Sequence, residues 1–181
     1  MASRVQVSTM CRAPRATSYS SWDFKDSFTA RACGLLASEF ILLGFDGEEL
    51  ARLRLRGSSR AEYVPDEDYA ATFEVSGRRY RMVVEGEEML VAEPKERSID
   101  EFEISCDDRT YEARISFFRN LAVASRPDGE RAVRLSGGLT GRSYEALLAA
   151  EDSCALPVAV FLLWHIVANR RRTYLTGGGA M

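Results

Sequence analysis

The chain has 181 residues, 46% hydrophobic and 28% charged, a composition that suits one globular domain with its own core and excludes a disordered or fibrous polymer. Its net charge of −3 excludes a general nucleic-acid binder, which needs a surplus of cations to displace counterions. Lysine is nearly absent, with only Lys25 and Lys95, so arginine carries almost all of the positive charge.

Residues 1–22 read as a disordered N-terminal tail. The segment carries Arg4, Arg12 and Arg15 but no apolar run of the kind an export signal requires, so a cytoplasmic location is the expectation. Cys11, Cys33, Cys106 and Cys154 include no pair at a short metal-ligand spacing, and reduced thiols are the expectation for that compartment.

From residue 23 onward, turn signals recur at Asp46-Gly47, Gly57-Ser58-Ser59, Ser76-Gly77, Glu85-Gly86, Asp107-Asp108, Asp128-Gly129 and Gly137-Gly138. Between them the pattern has period two. Leu53 and Leu55 alternate with Arg52, Arg54 and Arg56, and Ala71, Phe73 and Val75 with Thr72 and Glu74. Phe102, Ile104 and Cys106 alternate with Glu101, Glu103 and Ser105, and Tyr111, Ala113, Ile115 and Phe117 with Glu112, Arg114 and Ser116. Tyr144, Ala146 and Leu148 continue the pattern. Ten to twelve strands are predicted between Thr29 and Ala149, with one wet and one dry face. So many strands leave edges that closure into a barrel removes. Asp46-Gly47-Glu48, Arg52-Leu53 and Arg60 recur 82 residues later as Asp128-Gly129-Glu130, Arg134-Leu135 and Arg142, which predicts two similar hairpins in the two halves of the domain.

The end of the domain is different. Cys154 to Ala168 is apolar all round, and a helix is predicted over about 153–171. Asp152 and Ser153 suit its start, Pro157 its first turn, and Arg170-Arg171-Arg172 its end against the dipole. A helix without a polar face is buried in protein or in lipid. The apolar run rises only about 22 Å, short of a ~30 Å hydrocarbon core, so burial inside the barrel is predicted. Val160, Leu163, Trp164 and Val167 should then pack on Phe73, Phe102, Ile115, Val133 and Leu135. Residues 173–181 read as a second disordered tail.

Short antiparallel strands, two D-G-x hairpins, Arg60 and Arg142, the step Arg142-Ser143-Tyr144 and the run P-V-A-V-F-L-L-W-H-I-V-A resemble the tubby C-terminal superfamily, which includes the LURP-one-related and phospholipid-scramblase-like domains. The resemblance spans roughly residues 28–172. It implies a closed antiparallel barrel of about twelve strands enclosing the apolar C-terminal helix. The Lys/Arg pair that holds phosphoinositides in tubby proteins has no counterpart here. The proline-rich region, cysteine cluster and acidic segment of scramblases are likewise missing.

Candidate sites are few. Arg52, Arg54 and Arg56 share one strand face about 7 Å apart. With Arg60, and with Arg78, Arg79 and Arg81 nearby, they could hold phosphate headgroups through paired N–H donors, or form a solvated outer face bridged to Glu48, Glu62 or Glu74. His165 is the single histidine, which removes the common acid–base and zinc constellations and leaves it as a core histidine bonded to a carbonyl. Pro65-Asp66-Glu67-Asp68 lacks the pattern of a calcium loop, and Ser136–Gly141 is no phosphate loop. The expectation is a non-catalytic binding module without cofactor or metal, for anionic phospholipid or a protein partner, with peripheral membrane contact. Two alternatives stand beside it: a scramblase-like protein whose helix inserts in the membrane, and a barrel that holds a small apolar ligand. Finding where the helix lies discriminates among them.

Overall fold

The period-two runs form twelve strands in the computed structural model, which describes residues 26–34, 37–66, 69–96 and 98–177. They are β1 (Asp26–Cys33), β2 (Glu39–Leu43), β3 (Glu49–Leu55), β4 (Arg60–Asp66), β5 (Tyr69–Ser76), β6 (Arg79–Val84), β7 (Glu87–Pro94), β8 (Glu101–Cys106), β9 (Arg109–Ser116), β10 (Leu121–Ser125), β11 (Arg131–Gly137) and β12 (Ser143–Leu148). Each pairs antiparallel with its neighbours in sequence, and β1 closes the ring against β12 with Ala30 opposite Tyr144. The predicted closed barrel is the observed fold.

The helix α1 (Ala155–Gly177) runs through the lumen. Every side chain from Pro157 to Ala168 is buried. α1 touches β3, β8, β11 and β12, which lie around the ring, and Trp164 packs against Phe73 of β5 with ring centroids 5.4 Å apart and planes tilted by 38°. Val160, Leu163, Trp164 and Val167 are buried, as are Phe73, Phe102, Ile115, Val133 and Leu135. Inward strand positions supply the wall and α1 supplies the filling. Burial of apolar surface on both gives the barrel one continuous core. α1 occupies the lumen, where a small apolar ligand would have to lie. No helix among the described residues is long and apolar enough to cross a membrane.

The helix is longer than predicted. It continues past residue 171 to Gly177 and takes in 173–177 of the segment assigned to a tail. Arginine propagates a helix well, so the Arg170–Arg172 run does not end it. Arg170–Arg172 therefore sit a turn or more inside the helix, and its last turn holds no basic residue. The expected dipole cap is corrected: Arg170 and Arg172 instead donate to backbone carbonyls of the barrel, at Leu139 (3.2 Å) and Ser58 (2.9 Å). The tail assigned to 1–22 and residues 178–181 lie outside the described residues, as do Cys11, Glu67 and Asp68.

The sequence echo is structural. β2 and β10, and β3 and β11, share their bounds at the 82-residue offset, and both hairpins shift register at equivalent places, Leu42/Leu43 and Ala124/Ser125. The turns match bond for bond. Gly44 N–H donates to Glu48 O and Gly47 N–H to Gly44 O, as Arg126 does to Glu130 and Gly129 to Arg126. Gly47 and Gly129 hold φ of 79° and 88°, a left-handed backbone that glycine adopts without a Cβ clash.

Candidate functional site: two rims of opposite charge

Up-and-down connectivity sends alternate connections to opposite ends of the barrel. The β1–β2, β3–β4, β5–β6, β7–β8, β9–β10 and β11–β12 connections lie at the rim where α1 emerges, here the exit rim. The other connections form the opposite rim, where α1 begins. Charge follows this division. Among the described residues, the exit-rim connections and the emerging turn of α1 carry eight basic side chains (Arg56, Arg78, Lys95, Arg119, Arg142 and Arg170–Arg172) and two acidic ones, Glu96 and Asp100. The opposite connections carry nine acidic side chains and one basic, Arg126. The modest net charge of the chain conceals a strongly bipolar barrel.

The exit rim also carries apolar tips. Ile99, Phe118 and Leu139 are 67%, 100% and 98% exposed on three consecutive connections of that rim. The tips are braced. Asn120 donates from Nδ2 to Gly138 O (2.8 Å) and accepts from Gly137 N–H at its carbonyl (2.7 Å), which ties the Phe118 turn to the Leu139 connection. Arg170 holds Leu139 O, Arg142 donates to Gly34 O (2.6 Å), and Arg78 donates to Glu96 O. Phe45 is the exposed aromatic of the opposite rim.

The four arginines singled out from sequence divide between the barrel wall and this rim. Arg52, Arg54 and Arg56 do share the outer face, and cross-strand register sets Glu39, Arg54 and Glu62 side by side. Arg52 pairs with Glu39 (3.0 Å) and Glu49, Arg54 with Glu39 (3.5 Å), and Arg56 with Glu62 (2.9 Å). The carboxylate hydrogen bonds raise the Arg56 pKa and lower those of Glu49 and Glu62. The wall is a charge-compensated ladder, the second of the two readings the sequence allowed, though with Glu39 and Glu49 where Glu48 was expected. Arg56 and Arg60 flank the β3–β4 turn and so reach the exit rim. Arg60 stands opposite Glu74 in register and makes no ion pair among the described residues. Arg79 and Arg81 pair with Glu88 (2.8 Å) and Glu74 (2.6 Å).

His165 lies in the lumen, ringed by Phe102, Tyr80, Phe117 and Phe161 at centroid distances of 4.7, 5.1, 5.8 and 6.0 Å. Its Nε2 is 3.3 Å from Ile99 O and 3.1 Å from Asn169 Nδ2. Burial pulls its pKa down to about 4. It is the neutral core histidine bonded to a carbonyl that the sequence led us to expect, and the contact fastens α1 to the connection bearing Ile99.

At the opposite rim Asp152 is fully buried and accepts from Arg109 Nη1 (2.7 Å), Tyr111 Oη (2.7 Å), Arg126 Nε (3.1 Å) and Cys154 N–H (3.0 Å). Burial, with the Asp152 hydrogen bond, pushes the Tyr111 hydroxyl far above its ordinary range. Asp152 thus locks β9 and the β10–β11 connection to the start of α1. Beside it opens a cleft of about 640 Å³, lined by Asp108, Arg109, Thr110, Arg126, Pro127, Asp128 and Glu151. Cys106, at the end of β8, and Cys154, 48 residues later, meet at this rim. Spacing along the chain held no signal for that meeting, and none for the arc of apolar tips.

A closed twelve-stranded barrel threaded by its own C-terminal helix defines the fold class. The X-ray structure of a protein from Arabidopsis thaliana has this fold. It aligns with a TM-score of 0.53 and 9% identity over 76% of this chain and 89% of that one. No protein-family description and no curated protein matches the sequence.

Proposed function

We propose that the chain is a non-catalytic barrel of the tubby-like, LURP-one-related type that docks peripherally on anionic phospholipid through its exit rim. The observation that carries this reading is the coincidence of a cationic rim with three exposed apolar tips on one end of the barrel. Basic residues near an anionic bilayer are each worth about 1 kcal/mol. Phe118 or Leu139 gains on the order of 1.5–3 kcal/mol when its side chain leaves water completely. A few contacts of each kind suffice for reversible binding, as one lipid chain with a basic patch does. The acidic opposite rim is repelled by the same surface and so fixes the orientation. The lone histidine, held neutral in an aromatic cage, supports a non-catalytic role.

The test is co-sedimentation with phosphatidylcholine vesicles, with and without phosphatidylserine, at low and high salt. The reading expects binding to the anionic vesicles alone, weakening as salt rises. It also expects binding to fall at least about tenfold in Phe118→Ser/Leu139→Ser and in Arg119→Gln/Arg171→Gln/Arg172→Gln, each with an unchanged melting temperature. Equal binding to neutral vesicles, or no loss in either variant, refutes docking by this rim and leaves a protein partner as the better account of it.

A further inference from the structure

We propose that Cys106, Asp107 and Cys154 form a binding site for a thiophilic divalent cation of the Zn²⁺ class, distinct from the exit rim and independent of its function. The two sulfurs and the Asp107 carboxylate lie within 4.8 Å of one another. Cys154 Sγ is 3.7 Å from Asp107 Oδ2. Ligands on a tetrahedral zinc, at about 2.3 Å for sulfur and 2.0–2.2 Å for oxygen, stand roughly 3.5–3.8 Å apart. The Cys154–Asp107 edge already has that length, and the other two separations are no more than 4.8 Å.

The fold supplies the remaining requirements. Asp107 takes a left-handed conformation, φ 52°, in the β8–β9 turn, beside Cys106 at the end of β8. Cys154 stands just before the first turn of α1, where the helix dipole favours a thiolate. Both cysteines are buried while Asp107 is exposed, which gives a protected pair of soft donors with one hard donor at the solvent edge. Three protein ligands leave the fourth position to water or a further ligand. Two thiolates select zinc-like ions over calcium or magnesium. The acidic rim, with Asp108, Asp128 and Glu151 around the adjoining cleft, concentrates cations there. Asp152 does not compete as a ligand, because its oxygens already accept from Arg109, Arg126, Tyr111 and the Cys154 N–H. On binding, each thiol gives its proton to the buffer and the metal gains two S–M bonds without any change of oxidation state.

The test uses the full reduced chain, stripped with a chelator and titrated with Co²⁺. The expected result is one equivalent bound with a near-ultraviolet thiolate-to-cobalt charge-transfer band that Zn²⁺ abolishes by displacement. Cys106→Ala and Cys154→Ala should each lose the band. Asp107→Asn, an exposed change that leaves the core alone, should weaken binding at least about tenfold. Cys33→Ser, at the far end of β1, should bind as the wild type does. Loss of the band in Cys33→Ser, its persistence in both alanine variants, or unchanged affinity in Asp107→Asn overturns the site. So does failure of the reduced wild type to take up Co²⁺, including the case in which Cys106 and Cys154 couple only as a disulfide.

Discussion

Acidification should destabilise the barrel through one residue, His165. Burial depresses its pKa from 6.5 to about 4, so the unfolded chain takes up a proton that the folded chain refuses between those values. The sign follows from linkage: the contribution is complete above about pH 6.5 and is lost as pH falls toward 4. A depression of that size corresponds to roughly 3 kcal/mol in full, of which about 2 kcal/mol is lost between pH 7 and pH 5. The chain has no other histidine, so carboxylates supply the remaining change over that range. Urea unfolding of wild type and His165→Leu at pH 7 and pH 5 separates the two sources, because the carboxylates are common to both proteins. Leucine keeps most of the packing among Phe102, Tyr80 and Phe161 and cannot titrate. The wild type should lose about 2 kcal/mol more than the variant on acidification. Equal losses would show that His165 is solvated or protonated in the folded state, and with that the account of a buried, neutral histidine would fail.

Three further outcomes follow from the same structure. Leu163→Ala should cost about 2–5 kcal/mol in urea unfolding, since Leu163 is wholly enclosed by the barrel wall, and Leu163→Asp should yield no folded protein by circular dichroism. Asp152→Ala removes the acceptor shared by Arg109, Arg126 and Tyr111. Because both arginines are partly solvated, the expected loss is about 2–3 kcal/mol rather than the full penalty of a buried broken pair, and a loss below about 0.5 kcal/mol would refute the anchoring role. Arg52→Gln/Arg54→Gln should leave the melting temperature nearly unchanged and most vesicle binding intact, because these two arginines are already paired on the exposed barrel wall. Abolition of binding by that double change would move the lipid site from the rim to the barrel wall.

The amino-acid sequence by itself determined the strands, the closure and the central helix. Each rests on local periodicity: Phe102, Ile104 and Cys106 can face only one side of a pleat, and a helix apolar from Cys154 to Ala168 must be enclosed. The repeated Asp-Gly-Glu turns were legible for the same reason, since their bonds join residues at most four apart. Tertiary structure decided everything that depends on which distant residues meet. Up-and-down pairing of neighbouring strands sorts alternate connections to opposite ends and so separates the charges that a net value of −3 averages away. Register alone sets Glu39 and Glu62 beside Arg54 and so turns an apparent basic stripe into a compensated ladder. The path of α1 through the lumen alone brings Cys154 back to Cys106, and Arg170 to the Leu139 connection. Periodicity reports the face on which a side chain lies, whereas a site needs neighbours, and in a closed barrel the neighbours are chosen by topology.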